Sequence, residues 1–571
     1  MKKYYSSLFV LLLLLSSCAP RNESNLQSPV SSPTAPTSLT AFTPAITNFH
    51  IGESVPTSLR EQVQNLNLPN FILDASPFVP SNSSLNETKI RWVYALVAPF
   101  PTIRDGVTFD ELHTAWTQST TPSPFNGIPI LMEASTLAAL TVLWDAPAAS
   151  TVRIVSTGEL LDTAWNESTW AIIPFESLEP KWKVLTIDGQ SPIRKNFDVS
   201  TYPLVVDFTL QSSNSVQLPI IAKHPFGTNY DSSKLTTVIL TGVTALVRAT
   251  AVTMEYKGVT YPGEKIREVL READIAHVSN EIPFFTGCEF PKPDASGPLV
   301  FCSDPKYIEL LTDVGADVVE LTGNHFADRG AEGMRETIQI YNDNDLPYFG
   351  GGIDLQDSLK PALFEVNGNK IAFIGCNKPD VDRFPTARDF RPGAAPCDFP
   401  YLQQKIAELK SQGYVVISTF QWNESYDPRP SPQQMDDFRL MADSGASIVS
   451  GSQAHYAQMM EFYGDAFIHY GLGNLFFDQM GDQDWMPPGI RREFFDRYVI
   501  YDGKFISVEM LTGLLEDYSR PRLMTDEERF GFLQEYFFYS GWNELIPTPT
   551  PTITPTLTPM SIPAFIGTPK P

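Results

Sequence analysis

The chain has 571 residues, with 41 Lys and Arg against 66 Asp and Glu, a formal net charge of −25. That length exceeds what one hydrophobic core serves and predicts two or three domains, while a hydrophobic content of 42% is ordinary for a globular protein. The charge excludes sequence-independent binding to DNA or RNA, so no nucleic-acid partner is expected, and a polyanion could be held only in a local basic pocket.

The chain opens with "MKKYYSSLFVLLLLLSSCAP". Lys2 and Lys3 give a positive start, and Leu8–Leu15 is an apolar run too short to span a bilayer. "LSSC" resembles a lipobox, which implies cleavage before Cys18, lipidation of Cys18, and a membrane-tethered protein outside the cytoplasm. An ordinary signal peptide with an incidental cysteine is the alternative. Residues 1–18 are thus read as the lipoprotein signal and its cysteine. Residues 19–45, rich in Ser, Thr, Pro and Asn, are read as a disordered tether.

Residues 50–230 alternate strand-like runs ("RWVYALVAPF", "TWAIIPF", "YPLVVDFTL") with helical stretches ("TFDELHTAW", "STLAALTVLW"), which predicts an α/β domain. "VAPFPTIRDGVTFDELHTAW" and "WAIIPFESLEPKWKVLTIDG" resemble the periplasmic solute-binding fold, in which two lobes close on a ligand. The resemblance implies a small-molecule ligand in this region. A spacer of the same fold that binds nothing is the alternative.

From residue 235 to 515 short apolar runs each end in polar or Gly residues: "TTVILTGV", "IAHVSNE", "DVVELTGNH", "KIAFIGCN", "YVVISTFQ", "ASIVSGSQ" and "AFIHYGLGN". Helices separate several of them. Ile266, Val269, Leu270 and Ala273 recur at helical spacing, and "DPKYIELLTDVG" offers Asp304 as N-cap with Pro305 in the first turn. Apolar strands delivering polar tips to one edge of a sheet are how α/β enzymes assemble sites. Residues 516–546 are read as a C-terminal helical extension, and residues 547–571, "PTPTPTITPTLTPMSIPAFIGTPKP", as a disordered Pro/Thr-rich tail.

Four cysteines remain besides Cys18, an even number for an oxidising compartment. Three pairings are open; the local pair Cys288–Cys302 and Cys376–Cys397 is favoured because each closes a short loop. No Cys-x-x-Cys spacing suggests a metal site built from them.

In order, the tips read "TGVTALVR", "SNEIP", "TGNHFADRG", "FQWNESY", "GSQAH" and "GLGNLFFDQ". Their order, spacing and wording over about residues 235–482 resemble the CapA family of poly-γ-glutamate capsule proteins, whose fold is similar to the calcineurin-like metallophosphoesterases. "GNHFADRGAEGMRETI" and "IHYGLGNLFFDQ" carry most of the resemblance. It implies an α/β fold overall: a C-terminal α/β/β/α sandwich beside the N-terminal α/β domain. In such a site two divalent cations make a hydroxide nucleophile, and a histidine protonates the leaving group. By position, Glu281, Asn324 and His455 would hold metal, and His325 with Asp328 would be catalytic. Arg248, Asn280, Gln421, Glu424, Gln453 and Asn474 would contact substrate.

The departures change that expectation. Val243 stands where the family carries Asp, Gln421 where it carries His, and Ser452 and Gln453 where it carries two imidazoles. Amide oxygens are poor ligands for zinc or iron and acceptable only to harder ions. The expectation is therefore one loosely held Mn²⁺ or Mg²⁺, or a decayed site that binds an anionic or glycan polymer. Trp422, Glu424, Tyr426 and Tyr456 near the substituted positions favour binding. His469, alternating within "AFIHYG", reads as a packed residue rather than a ligand. Three readings stand: a metal-dependent hydrolase or transferase, a polymer-binding assembly factor, and a tethered solute receptor.

Overall fold

The computed structural model describes residues 50–65, 71–75, 86–119, 124–125, 127–212, 227–293, 299–378, 386–481 and 486–542. The signal segment with Cys18, the tether and the Pro/Thr-rich tail lie outside them.

The run "TTVILTGV" forms the strand Leu235–Leu240, buried at every position. The same holds for Ile275–Asn280 and Val318–Glu320. Strands apolar on both faces are what a parallel sheet covered on both sides requires. Tyr348–Phe349, Val318–Glu320, Ile275–Asn280 and Leu235–Leu240 pair in parallel in that order, and the antiparallel Arg492–Tyr501, Lys504–Glu516 and Arg520–Leu523 complete the sheet. A second sheet runs Ala362–Val366, Asn369–Asn377, Tyr414–Gln421, Ile448–Gly451, Ala466–His469, Met460–Tyr463. Its four middle strands are parallel.

The two sheets face each other across a core that includes Val238, Leu240, Ile275 and Val318 from the first and Phe373, Val415, Ile417 and Phe467 from the second. Parallel neighbours need crossovers, and the crossover helices form the outer layers. Arg248–Lys257, Arg267–Glu272, Ile308–Asp313 and Gly330–Asp343 supply Met254, Leu270, Leu310 and Ile338 to the first sheet's outer face. Phe399–Ser411 and Pro432–Asp443 do the same for the second with Ile406 and Phe438. The layering is α/β/β/α, as expected. Asp304 accepts from Lys306 N at 3.0 Å with Pro305 in the first turn, so the expected cap forms.

The stretch after residue 516 is built into this sandwich. Arg520–Leu523 is its edge strand, and the helix Asp526–Tyr539, started by a Thr525/Glu528 capping box, sends Phe532, Leu533, Tyr536 and Phe537 into the core between the sheets.

Residues 50–212 form a separate eight-stranded sheet around the 14-residue strand Asn86–Pro99, with Phe71–Ala75, Val205–Ser212, Ala171–Pro174, Ile130–Met132 and Val152–Ile154 among its members. Helices Phe109–Thr117, Ala134–Trp144 and Thr157–Glu167 pack on it. The region is α/β, as the solute-binding resemblance implied. Besides its large sheet the region has, among the described residues, one short parallel pairing, Gly106–Val107 with Thr186–Ile187.

This sheet is docked onto the sandwich. Phe100, 2% exposed, sits edge-on to Phe462, Phe467 and Trp542 at ring distances of 5.1, 5.4 and 5.6 Å. Asp105 pairs with Lys183 at 2.7 Å and with Arg529 at 3.0 Å, and Arg194 pairs with Glu509 at 2.6 Å. A cavity of about 200 Å³ opens at this junction, its charged walls already paired with one another. No helix among the described residues is long and apolar enough to cross a membrane.

Candidate functional site

The parallel strands of both sheets end at the same edge, and their tips meet there. Val243 N donates to Gly473 O at 2.9 Å, and Glu281 N donates to Thr244 O at 3.1 Å, which ties three tips together. Gly323 lies so close to the next tip that an added Cβ would fall 2.4 Å from Glu281 Cα, so only glycine allows this approach. That approach sets Asn324 and His325 beside Glu281.

His325 Nδ1 bonds Asp328 Oδ2 at 2.8 Å, and the same oxygen accepts from Phe301 N at 2.7 Å. The Phe301 ring lies edge-on to the imidazole at 5.0 Å. Burial works against the charged imidazole, but the Asp328 hydrogen bond and the charge of Glu281 outweigh it, so the His325 pKa is raised above 6.5. With Nδ1 committed to Asp328, the proton that His325 can present to a ligand is on Nε2.

Asn324 faces Gln421, whose Nε2 donates to Asn324 Oδ1 at 3.3 Å. Ser452 Oγ lies 3.2 Å from Gln421 Oε1 and 2.9 Å from Glu320 Oε1, and Glu320 in turn meets His277 Nε2 at 3.2 Å. Thr322 Oγ1 also donates to Glu320, at 2.5 Å. Glu320 was missed in the sequence. It is fully buried directly under the tips, and its only sequence signal is a carboxylate inside the apolar run "DVVELTGNH".

A second network holds His455. Asn474 Oδ1 accepts from His455 Nδ1 at 2.8 Å, while Asn474 Nδ2 donates to His455 O and to Gln479 Oε1. The proton therefore sits on Nδ1 and the lone pair on Nε2. Gln479 Nε2 donates to the Tyr426 hydroxyl at 2.9 Å, and that hydroxyl donates to Glu424 Oε1 at 2.5 Å. Burial and the neighbouring Glu424 carboxylate hold the Tyr426 hydroxyl protonated, its pKa pushed well up. Tyr426 and Gln479 thus connect Glu424 to Asn474 and His455.

Two of the expected contacts are otherwise engaged. Arg248, at φ +48°, forks onto Asp478 and lies between the Phe301 and Phe477 rings, 5.4 and 5.5 Å from their centroids. Asn280 turns into the packing, donating to Ile282 O and the Tyr341 hydroxyl. Both expected disulfides form, Cys288–Cys302 and Cys376–Cys397, with Cα separations of 6.0 and 5.0 Å. His469 is buried against Asp496, as a packed residue would be.

Whether this edge suits a metal pair is decided by its donors. Glu281 Oε2 and Gln453 Oε1 are buried without a hydrogen-bond partner among the described residues. The other tips supply the apolar Val243, the amides of Asn324 and Gln421 bonded to each other, and one imidazole lone pair on His455. Among the described residues no group of three His, Cys, Asp or Glu side chains could hold a metal ion. Two dications are normally offset by several carboxylates and imidazoles. The residues present do not fit a metal pair.

Residues 237–479 match the family described as bacterial capsule synthesis protein PGA_cap. The chain is 32% identical over 177 residues to the capsule biosynthesis protein CapA of Bacillus anthracis, covering 30% of this chain and 43% of that protein. It is 28% identical over 226 residues to the PGA biosynthesis protein CapA of Bacillus subtilis (strain 168), covering 39% and 59%. The chain thus spans about half the length of these relatives. Among solved structures, the NAD nucleotidase of Haemophilus influenzae is 13% identical, with 49% of each chain covered and a TM-score of 0.29. An ABC-type phosphate transport receptor from Vibrio cholerae is 14% identical, covering 29% of this chain and 78% of that one, with a TM-score of 0.24. Those scores are too low to speak to activity.

Proposed function

We propose, for a chain whose residues 237–479 match the bacterial capsule synthesis protein family PGA_cap, a role in the synthesis or assembly of an acidic cell-surface polymer of the poly-γ-glutamate kind. On this reading the strand edge binds the polymer rather than cleaving phosphoesters with a metal pair. The carrying observation is the amide Gln421, standing where the resemblance calls for an imidazole and bonded to the Asn324 amide, together with buried oxygens of Glu281 and Gln453 that have no hydrogen-bond partner among the described residues. Amides donate and accept at once, which complements the amides of a polyamide backbone, and protonated His325 complements its carboxylates.

Two unpartnered oxygens, Glu281 Oε2 and Gln453 Oε1, favour a second reading. A single hard cation such as Mn²⁺ or Mg²⁺ would satisfy them, and this chain's residues would then serve a hydrolase or transferase. Elemental analysis of the purified chain, paired with binding of poly-γ-glutamate oligomers, separates the two. Polymer binding without stoichiometric metal supports the first, and one tightly held metal per chain sinks it.

Lipid on Cys18 belongs to the same proposal, since capsule polymer is handled outside the cytoplasm. Cys18→Ser should move the protein from the membrane fraction to the soluble one; retention in the pellet would refute the anchor. A small molecule copurifying with residues 50–230 would point instead to the receptor reading.

A further inference from the structure

A groove of about 370 Å³ lies beside the strand edge, between the helix Arg248–Lys257 and the segments 288–292 and 300–302 that the Cys288–Cys302 bridge joins. Phe301 is common to both places: it lines the groove, and it packs against His325 while its N–H holds Asp328. Phe301 therefore stands between the groove and the imidazole.

Four cations line this groove on a chain of net charge −25. Three have carboxylate partners: Arg248 with Asp478, Lys306 with Glu255 at 2.6 Å, and Lys292 near Glu289 at 4.0 Å. Among the described residues the fourth, Arg329, has no ion pair, and its Nε is buried without any hydrogen-bond partner. A buried donor of a charged group left unpaired is costly and calls for an explanation.

The backbone around Arg329 is shaped to hold it there. Gly333 lies inside the helix Gly330–Asp343, where glycine is unfavourable, and a Cβ on it would fall 2.5 Å from Arg329 Cβ. The glycine keeps open the space that the arginine stem occupies.

Resting on the polymer-binding reading above, we infer that Arg329 is the anion-recognition residue of this site, its guanidinium taking a carboxylate of an acidic polymer that lies in the groove bordered by Phe301, the neighbour of His325. A planar fork suits a carboxylate through two parallel N–H···O bonds. A phosphodiester polymer presents a related oxyanion, so the test must tell the two apart.

The experiment uses the full chain, with poly-γ-glutamate oligomers and polyglycerol phosphate as probes in calorimetric titrations. Arg329→Gln should weaken poly-γ-glutamate binding by roughly tenfold or more and make it less salt-dependent, with Arg329→Lys in between. Arg335→Gln, exposed on the same helix, should bind as the wild type does. Unchanged thermal midpoints confirm that the variants fold. If Arg329→Gln binds poly-γ-glutamate within twofold of wild type, this inference falls while the functional reading stands. If the wild type binds no poly-γ-glutamate, the functional reading fails and carries this one with it. Tighter wild-type binding of polyglycerol phosphate than of poly-γ-glutamate overturns the carboxylate assignment.

Discussion

Gln421 and Asn324, 97 residues apart in the chain, meet amide to amide, Nε2 to Oδ1, at 3.3 Å. Each occupies a strand tip where the family resemblance calls for a metal-binding group, and each satisfies part of the other's hydrogen bonding. That contact, together with the apolar Val243 at another tip, is why the edge is expected to hold no metal pair.

Restoring Val243→Asp, Gln421→His and Gln453→His together should raise bound metal towards two equivalents in elemental analysis with Mn²⁺ supplied. Wild type should hold at most one, lost to a chelator wash. Two equivalents surviving that wash in wild type would mean that Glu424 or Glu320 serves as a ligand.

His325 should titrate above 6.5 in ring-proton NMR, because the Asp328 hydrogen bond and the charge of Glu281 outweigh burial. Asp328→Asn keeps an acceptor for Phe301 N but removes the charge, so its His325 should titrate lower than wild type. A histidine with a raised folded pKa contributes stability fully below its unfolded value and loses it as pH rises through the folded value. The gap between wild-type and Asp328→Asn urea midpoints should therefore be widest below pH 6.5 and narrow at higher pH. A gap that widens with pH would contradict the assignment.

Cys376 immediately precedes Asn377, whose Nδ2 donates to Thr322 O at 2.5 Å and whose N donates to Ala395 O at 2.8 Å. The bridge to Cys397, 21 residues on, thus steadies the backbone next to the His325 tip. Replacing both cysteines with alanine should cost about 3 kcal/mol in denaturant unfolding, through loop entropy. Amide exchange at Thr322 and Asn324 should also speed up. Unchanged exchange there would confine the bridge's effect to global stability.

The sheets were legible because strands buried on both faces leave apolar runs that end abruptly in polar residues. The tip carrying His325 and Asp328 was legible for the same reason, aided by a distinctive motif. What could not be read were partnerships between distant segments. Arg248 looked free to grip a substrate because its partner Asp478 lies 230 residues on. Glu320 was invisible as a site residue because its links to His277 and Ser452 depend on how two different sheets face each other. The Tyr426–Gln479–Asn474–His455 relay joins three separate loops, and no local spacing announces it.

The seating of Phe100 among Phe462, Phe467, Phe537 and Trp542 bears on how this protein melts. Residues 50–212 contribute a ring to the sandwich's own interior, so neither half has a finished core without the other. Calorimetry should show one endotherm rather than two, and Phe100→Ala should lower its midpoint, with a cost of about 3–5 kcal/mol for the emptied space. A fragment starting near residue 235 would present that aromatic socket to water and should aggregate when expressed alone. Two resolved transitions would show that the halves are merely neighbours.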